Sequence, residues 1–240
     1  METAFTFFLS VHIASGFSAF VAAPIAMMMA KGGKKHRLWG KIFFWCMTGV
    51  VLSAFVMSVL HKNPFLFMVA GFSYYLVASG YRWLYRKQAV TIKDVATFDW
   101  VLLIGAAVFN LGLFGFGVYG SVTNPQNSFG YIAMVFACVG LRFVWTNYKS
   151  FINPPKTKYA WLLHHMGGMI GGYIATVSAF SAVNFDFLPT IIQWLWPTII
   201  GVPLLLAWIN YYKRKFNRGL RVEEVVEVKS TAEEMQVEPV

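Results

Sequence analysis

The chain is predicted to be all-α, a seven-helix integral membrane bundle, and three observations indicate that fold class. Of its 240 residues 58% are hydrophobic and only 12% are charged, whereas a soluble domain carries about a quarter of its residues as charge. Apolar runs of about twenty residues or more recur seven times, and each is long enough to cross a bilayer core roughly 30 Å thick. The links between these runs alternate between strongly basic and weakly charged.

The seven apolar runs are the predicted spans, and tryptophans cluster near several of their ends, as amphipathic rings do at a membrane interface. The spans are 4–30, 38–61, 65–85, 100–119, 129–148, 159–184 and 188–212. We therefore expect one membrane domain over 1–212, followed by a tail over 213–240.

The distribution of Lys and Arg predicts the orientation. Nineteen of the twenty lie in or beside segments that can share one side of the membrane, and Lys62 alone falls on the other. By the positive-inside rule the N-terminus is expected outside and the C-terminus in the cytoplasm, in a plasma (inner) membrane of bacterial type. The first span is not read as a signal peptide, because Met1–Ala4 has no basic residue and the apolar run is too long.

The tail changes composition abruptly, since it is basic up to Arg221 and acidic afterwards. Six of the ten acidic residues of the chain follow Arg221. This part is too polar to span a membrane and too short to form a domain, so a largely disordered cytoplasmic tail is expected.

The net charge of +10 is expected to orient the chain and to attract anionic lipids at the cytoplasmic loops. Nucleic-acid binding is not expected, because the basic residues flank apolar spans and form no soluble basic face. Span six carries two overlapping small-xxx-small motifs, Gly167–Gly171 and Gly168–Gly172. Such motifs let helices approach closely, so they predict tight packing within the bundle or a homo-oligomer through this span.

Ionisable side chains inside the spans are the candidate functional residues, because their charge is costly in hydrocarbon. They are His12, Arg142, His164 and His165. His12 and His164 each begin a stripe of small residues at helical spacing. Such a stripe indicates close helix packing, or else a flat cofactor such as haem b beside an axial imidazole.

A two-haem arrangement would need one histidine pair on each side of the bilayer. The available pairs are His12 with His61 and His36 with His164. Both pairs combine a deep histidine with one near the surface, so their heights match poorly.

A polar pocket open to the cytoplasm is the second possibility. It would use Arg142 with His164 or His165, together with the hydroxyls of Tyr81 and Tyr159. A guanidinium at that depth needs a partner, so a structural ion pair between Arg142 and Asp99 is expected. If Asp99 pairs instead with Arg82 or Arg86, Arg142 is left to hold an anionic head group or a carboxylate.

Several kinds of site are not predicted. Adjacent residues of a helix point in directions about 100° apart, so His164 and His165 are not expected to bind one ion together. The chain has no H-E-x-x-H or C-x-x-C spacing, and no metal site is predicted. Span seven has no lysine for a retinal Schiff base. Cys46 and Cys138 lie inside spans and are read as small apolar side chains.

Short motifs suggest a family. The stretch from His12 to Gly16, Pro24 and the loop from His36 to Gly40 resemble the bacterial predicted membrane proteins called domain of unknown function 2306. The glycine-rich run from His165 to Thr176 looks like that family's late histidine-containing span. The family brings no established activity. The resemblance gives priority to His12, His36, Arg37 and His165, although Arg37 beside His36 is first expected to contact lipid phosphate.

These observations lead to three functional hypotheses, and no reaction or substrate can be named. The first is a binding or redox protein that holds a cofactor, haem b, through its intramembrane histidines. The second is a transport or sensing module that binds an amphipathic anion at Arg142 and His165. The third is a structural or assembly subunit held together by the glycine-rich span six.

Overall fold

The computed structural model describes residues 2–87 and 91–227, and within these ranges every regular element is helical. The seven α-helices are α1 Glu2–Met28, α2 Lys34–Leu60, α3 Pro64–Arg82, α4 Thr97–Thr123, α5 Ser128–Ile152, α6 Ala160–Asn184 and α7 Thr190–Asn217. Single 3₁₀ turns occupy Trp83–Tyr85, Ile92–Asp94 and Val222–Glu224.

The described residues contain seven helices that are long and apolar enough to cross a membrane, which confirms that part of the prediction. Large apolar side chains such as Phe17, Val108 and Ile199 are more than 60% exposed, as lipid-facing residues are. Some helices run past the predicted spans. For example, α7 ends at Asn217 rather than at residue 212, and its last turn carries Arg214 and Lys215, which suit a helix C-terminus.

The third helix lies at the centre of the bundle. It is the shortest of the seven and packs against α2, α4, α5 and α6. The main chains of α3 and α6 touch each other. A Cβ atom added to Gly80 would lie only 2.9 Å from the Cα of Gly168, so the contact leaves no room for a side chain. One turn further along α6, Gly172 lies against the Val77 side chain. Three of the four α6 glycines predicted to mediate close packing, Gly168, Gly171 and Gly172, therefore meet α3 within the chain, whereas Gly167 faces Phe143 and Ile209.

The two ends of the bundle differ in chemistry. At one end aromatic rings meet, with Phe65 5.1 Å from Phe129 and 5.4 Å from Trp194 between ring centres. The other end, called the basic end below, gathers the segments that follow α1, α3, α5 and α7. There Lys87 Nζ lies 4.6 Å from the centre of the Trp161 ring.

The chain after α7 folds back over the basic end as far as residue 227. Val226 is buried, and the Glu227 N–H donates to the Lys31 carbonyl at 2.8 Å. Gly32, at φ +77°, permits this contact, because a Cβ there would lie 2.5 Å from Val226 Cγ1. The composition suggested a polar tail, but its valines supply an apolar face for the aromatic residues of the basic end. Residues 228–240 of the predicted tail lie outside the described residues.

Candidate anion site at the basic end

Arg86 is the most unusual side chain of the basic end. It follows the 3₁₀ turn that ends α3, and its side chain is only 3% exposed. The guanidinium carbon lies 4.2 Å from the Trp83 ring centre and 4.5 Å from that of Phe151. It is therefore held between two aromatic faces, which attract a cation.

Asp99 in the first turn of α4 is the nearby carboxylate, and it is committed to another arginine. Arg82 donates to it twice, Nε to Oδ1 at 2.8 Å and Nη2 to Oδ2 at 3.1 Å. Arg86 Nε lies 3.9 Å from Oδ2, which is too far for a hydrogen bond. The predicted pair between Arg142 and Asp99 is wrong, because the end of α3 brings Arg82 to this carboxylate first.

Arg86 is left with unused donors. Its Nε and Nη1 are buried and have no hydrogen-bond partner among the described residues. Burial lowers the pKa of Arg86 to about 10; Asp99 opposes this shift and Arg82 adds to it. The guanidinium is therefore still charged at neutral pH, although its hydrogen bonding is incomplete.

A small cavity adjoins Arg86. Its volume is about 20 Å³, and it is called the Arg86 pocket below. Room of this size holds one or two atoms as large as a water molecule. Its polar and aromatic lining includes Arg86, Lys87, Ser150, Thr157 and Trp161.

A buried hydrogen-bond chain fixes the wall of the pocket. Trp83 Nε1 donates to Asn147 Oδ1 at 2.8 Å, and Asn147 Nδ2 donates to the Tyr75 hydroxyl at 2.9 Å. His164 stacks on Trp83 with ring centres 4.0 Å apart, and its Nε2 lies 3.2 Å from Ser150 Oγ. Because that hydroxyl donates to the Thr146 carbonyl, the His164 Nε2–H is the donor to Ser150. His164 therefore holds Trp83 in position.

His165, the next residue, points in a direction about 100° from that of His164 and lies closer to α1 and α2. Its Nδ1 donates to the Gly80 carbonyl at 2.9 Å, and its ring centre lies 6.5 Å from that of His36. His36 Nδ1 donates to the Ala26 carbonyl at 2.8 Å. The predicted partnership of His36 with His164 is thus replaced by His36 with His165, because His164 is turned toward Trp83.

The second predicted pair, His12 with His61, does not converge. His12 Nδ1 lies 3.1 Å from both the Val50 carbonyl and Ser53 Oγ. His61 contacts Phe5, with ring centres 4.1 Å apart. Phe5 precedes His12 by seven residues of α1, roughly 10 Å along the helix. The two imidazoles therefore lie at different depths and cannot ligate one iron.

The faces proposed for a flat haem are filled by protein. A Cβ on Gly168 would lie 2.5 Å from Gly80 Cα, and one on Gly171 would meet Leu76 at 3.7 Å. Behind His12, Gly16 faces Val50 at 3.8 Å. Helix packing therefore occupies the small-residue stripes.

The predicted pocket around Arg142 is not assembled. Arg142 is exposed, and its guanidinium donates to Thr146 on its own helix. Tyr159 donates to Asn217 Oδ1 at 2.6 Å, and Tyr81 stacks on Phe44 with ring centres 4.3 Å apart. The described side chain that offers free buried donors to an anion is Arg86, which the sequence suggested only as a possible partner of Asp99.

Arg37, another predicted ligand-binding residue, lies beside His36 in the first turn of α2 and is partly buried. Its side chain has no hydrogen-bond partner among the described residues. This position fits the expected contact with lipid phosphate.

No family model, curated protein or solved structure matches the chain. The resemblance around His12 and His36 therefore stays a prediction. Among the residues that the structure describes, no group of three or more His, Cys, Asp or Glu side chains is placed to hold a metal ion.

Proposed function

We propose that this chain is a multi-pass membrane protein that binds a small anion, or the anionic head of a larger ligand, in the Arg86 pocket. The observation that supports this proposal most directly is a buried guanidinium with two unused donors beside a cavity. This is the second hypothesis from the sequence, with Arg86 in the role that was expected of Arg142.

The charge around the pocket favours an anion. Arg82, Arg86 and Lys87 supply three cations, and Asp99, the carboxylate among them, is already bonded twice by Arg82. A buried donor without a partner costs about 1–3 kcal/mol, and more when it is charged. An anion that accepts from Nε or from Nη1 removes part of this cost and gains a charge-assisted hydrogen bond, which is roughly twice as strong as a neutral one.

The size of the cavity limits the ligand. About 20 Å³ admits a halide ion or the oxygen atoms of a carboxylate, but not a bulky dianion as a whole. A longer ligand would insert only its head and leave the rest among Lys87, Trp161 and the surrounding lipid. We therefore assign the pocket to a chloride-sized monoanion or to the carboxylate of an amphipathic molecule.

The orientation of the protein in the membrane determines the side from which the ligand arrives. The positive-inside rule puts the basic end on the cytoplasmic face of the plasma membrane, with the N-terminus outside. The proposed ligand thus comes from the cytoplasm or from the inner leaflet, as a sensing or transport protein would require.

Thermal unfolding of the purified protein in non-ionic detergent tests this proposal. Chloride, acetate and decanoate would be titrated as sodium salts against wild type and Arg86→Met. A ligand at 100 times its Kd adds about 2.7 kcal/mol of stability. We expect such a gain in the wild type only, and decanoate acting at a concentration at least tenfold below acetate would identify an amphipathic ligand.

Two controls make the result specific. Arg142→Gln removes one positive charge from an exposed site on α5 and should leave the anion response intact. Arg86→Lys keeps the charge but lacks the Nε–H donor and should weaken the response without abolishing it. Equal anion-dependent stabilisation of wild type and Arg86→Met would contradict the proposal.

A further inference from the structure

His36 and His165 form a second arrangement, separate from the Arg86 pocket. The two residues lie near the starts of α2 and α6, and their ring centres are 6.5 Å apart with the ring planes inclined at 71°. At about 2 Å per metal–nitrogen bond, two imidazoles on one ion place their ring centres roughly 6 Å apart. The observed separation is close to that value.

Both rings are anchored in the same way. Each Nδ1–H donates to one of the last four carbonyls of another helix, Ala26 in α1 at 2.8 Å and Gly80 in α3 at 2.9 Å. These bonds fix the tautomer that has a lone pair on Nε2. Neither Nε2 has a hydrogen-bond partner among the described residues.

This pattern is the one that metal-binding histidines show. Such histidines almost always donate their other ring N–H to a carboxylate or a main-chain carbonyl, which orients the ring and makes the ligating nitrogen more basic. Capping a helix end explains the Nδ1 bonds of His36 and His165, but it gives no role to the Nε2 atoms of two neighbouring rings.

We propose that Nε2 of His36 and Nε2 of His165 together bind one Cu(I) ion. Zinc needs about three or four protein ligands, and the described residues offer no third His, Cys, Asp or Glu at this point. Cu(I) is a soft ion that imidazole and thioether ligands suit. Met169 lies four residues after His165 on the same face of α6, and it packs against a cluster that includes Ala23 and Phe43.

The charge of the ion also matters. Lys31 and Arg37 act electrostatically on His36, and Lys87 acts on His165. Because Coulomb repulsion grows in proportion to charge, a divalent ion meets about twice the repulsion that a monovalent ion meets at the same point. The basic surroundings therefore favour Cu(I) over Cu(II) or Zn(II).

Anaerobic titration of the purified full chain with Cu(I), in competition with a chromogenic chelator, tests the site. We expect one Cu(I) per chain in the wild type and at least a tenfold loss of affinity in His36→Asn and in His165→Asn. The asparagine amide can still donate to the carbonyl that Nδ1 serves, so the helix cap is kept.

His12→Asn is the matched control, since His12 also uses Nδ1 toward a main-chain carbonyl but has no facing imidazole. It should bind copper as the wild type does. Copper-induced thermal stabilisation, measured on the same four proteins, separates loss of the ligand from loss of the fold. Wild-type affinity in either pair variant would overturn the proposal, and so would a haem Soret band that depends on both histidines.

Discussion

Arg82 holds Asp99 in a bidentate ion pair, with donor–acceptor distances of 2.8 and 3.1 Å, and this pair leaves Arg86 without a carboxylate at bonding distance. Two buried or partly buried arginines thus share one acid, and only one of them is hydrogen-bonded to it. The unpaired positive charge at this point is therefore carried by Arg86.

Replacing Asp99 with asparagine should destabilise the protein by about 3 kcal/mol, the lower part of the range for breaking a buried ion pair, because Arg82 is partly exposed. The measurement is thermal or denaturant unfolding in detergent. Added chloride or acetate should restore part of the loss, since an anion can replace the missing charge. Glu224→Gln, in the exposed pair with Arg221, is the control and should change stability by less than about 1 kcal/mol. A loss in Asp99→Asn no larger than in this control would contradict the account.

The pH dependence of anion binding distinguishes Arg86 from the histidines. The pKa of Arg86 is lowered to about 10 by burial, so below that pH the guanidinium is protonated and binds the anion. The anion-dependent gain in stability should stay constant from pH 7 to 9 and fall as the pH rises through about 10. Unfolding measured with and without anion at each pH isolates this gain. A response that disappears between pH 6 and 7, where an ordinary histidine titrates, would point to His164 instead.

The contact between α3 and α6 can be tested by adding one methyl group. Gly168→Ala puts a Cβ 2.5 Å from Gly80 Cα and 2.6 Å from the Leu76 carbonyl oxygen. The helices must separate, so a loss of about 1–3 kcal/mol in unfolding free energy is expected. Gly105→Ala in α4 meets no atom within 4 Å and should be neutral or stabilising by up to about 1 kcal/mol. Equal stability of the two variants would show that α6 does not touch α3 in this way.

The folded segment after α7 depends on Gly32. Gly32→Ala brings a Cβ to 2.5 Å from Val226 Cγ1 and 2.6 Å from the Glu227 carbonyl oxygen. We expect the segment to detach, so that limited trypsin cleavage at Arg221 becomes several-fold faster. Gly219→Ala carries the same kind of strain, at φ +101°, but meets no neighbour within 4 Å. It should not release Val226, and identical cleavage rates in the two variants would count against the contact.

The seven helices could be predicted because a bilayer imposes length and apolarity on each crossing segment, and runs such as 38–61 meet both conditions without any tertiary information. The helix ends were harder to predict. Helix α4 begins at Thr97 and α7 ends at Asn217, so both include polar turns that a search for apolar runs leaves out.

The candidate site could be predicted only in part. That His164 and His165 face different sides follows from helical geometry, and the structure agrees with it. Arg86 could be named only as a possible partner of Asp99 and not as an anion ligand, because the sequence shows it only in a basic pair, Arg86-Lys87, after span three. Its burial arises from the position of Phe151 at the end of α5 and from the turn at Trp83, both of which depend on the order of helices in the bundle. The proximity of His36 and His165 also depends on the order of the helices, which the sequence does not reveal.

The central claim is that Arg86 binds an anion, and the anion-dependent change in thermal stability of wild type, Arg86→Met and Arg142→Gln tests it most directly. The account predicts stabilisation of wild type and Arg142→Gln by chloride or a carboxylate, and no anion-dependent change in Arg86→Met. It also predicts that Arg86→Met without anion is at least as stable as wild type, since the substitution removes a buried cation while Asp99 keeps Arg82. An anion response that survives in Arg86→Met, or that is lost only in Arg142→Gln, would contradict it.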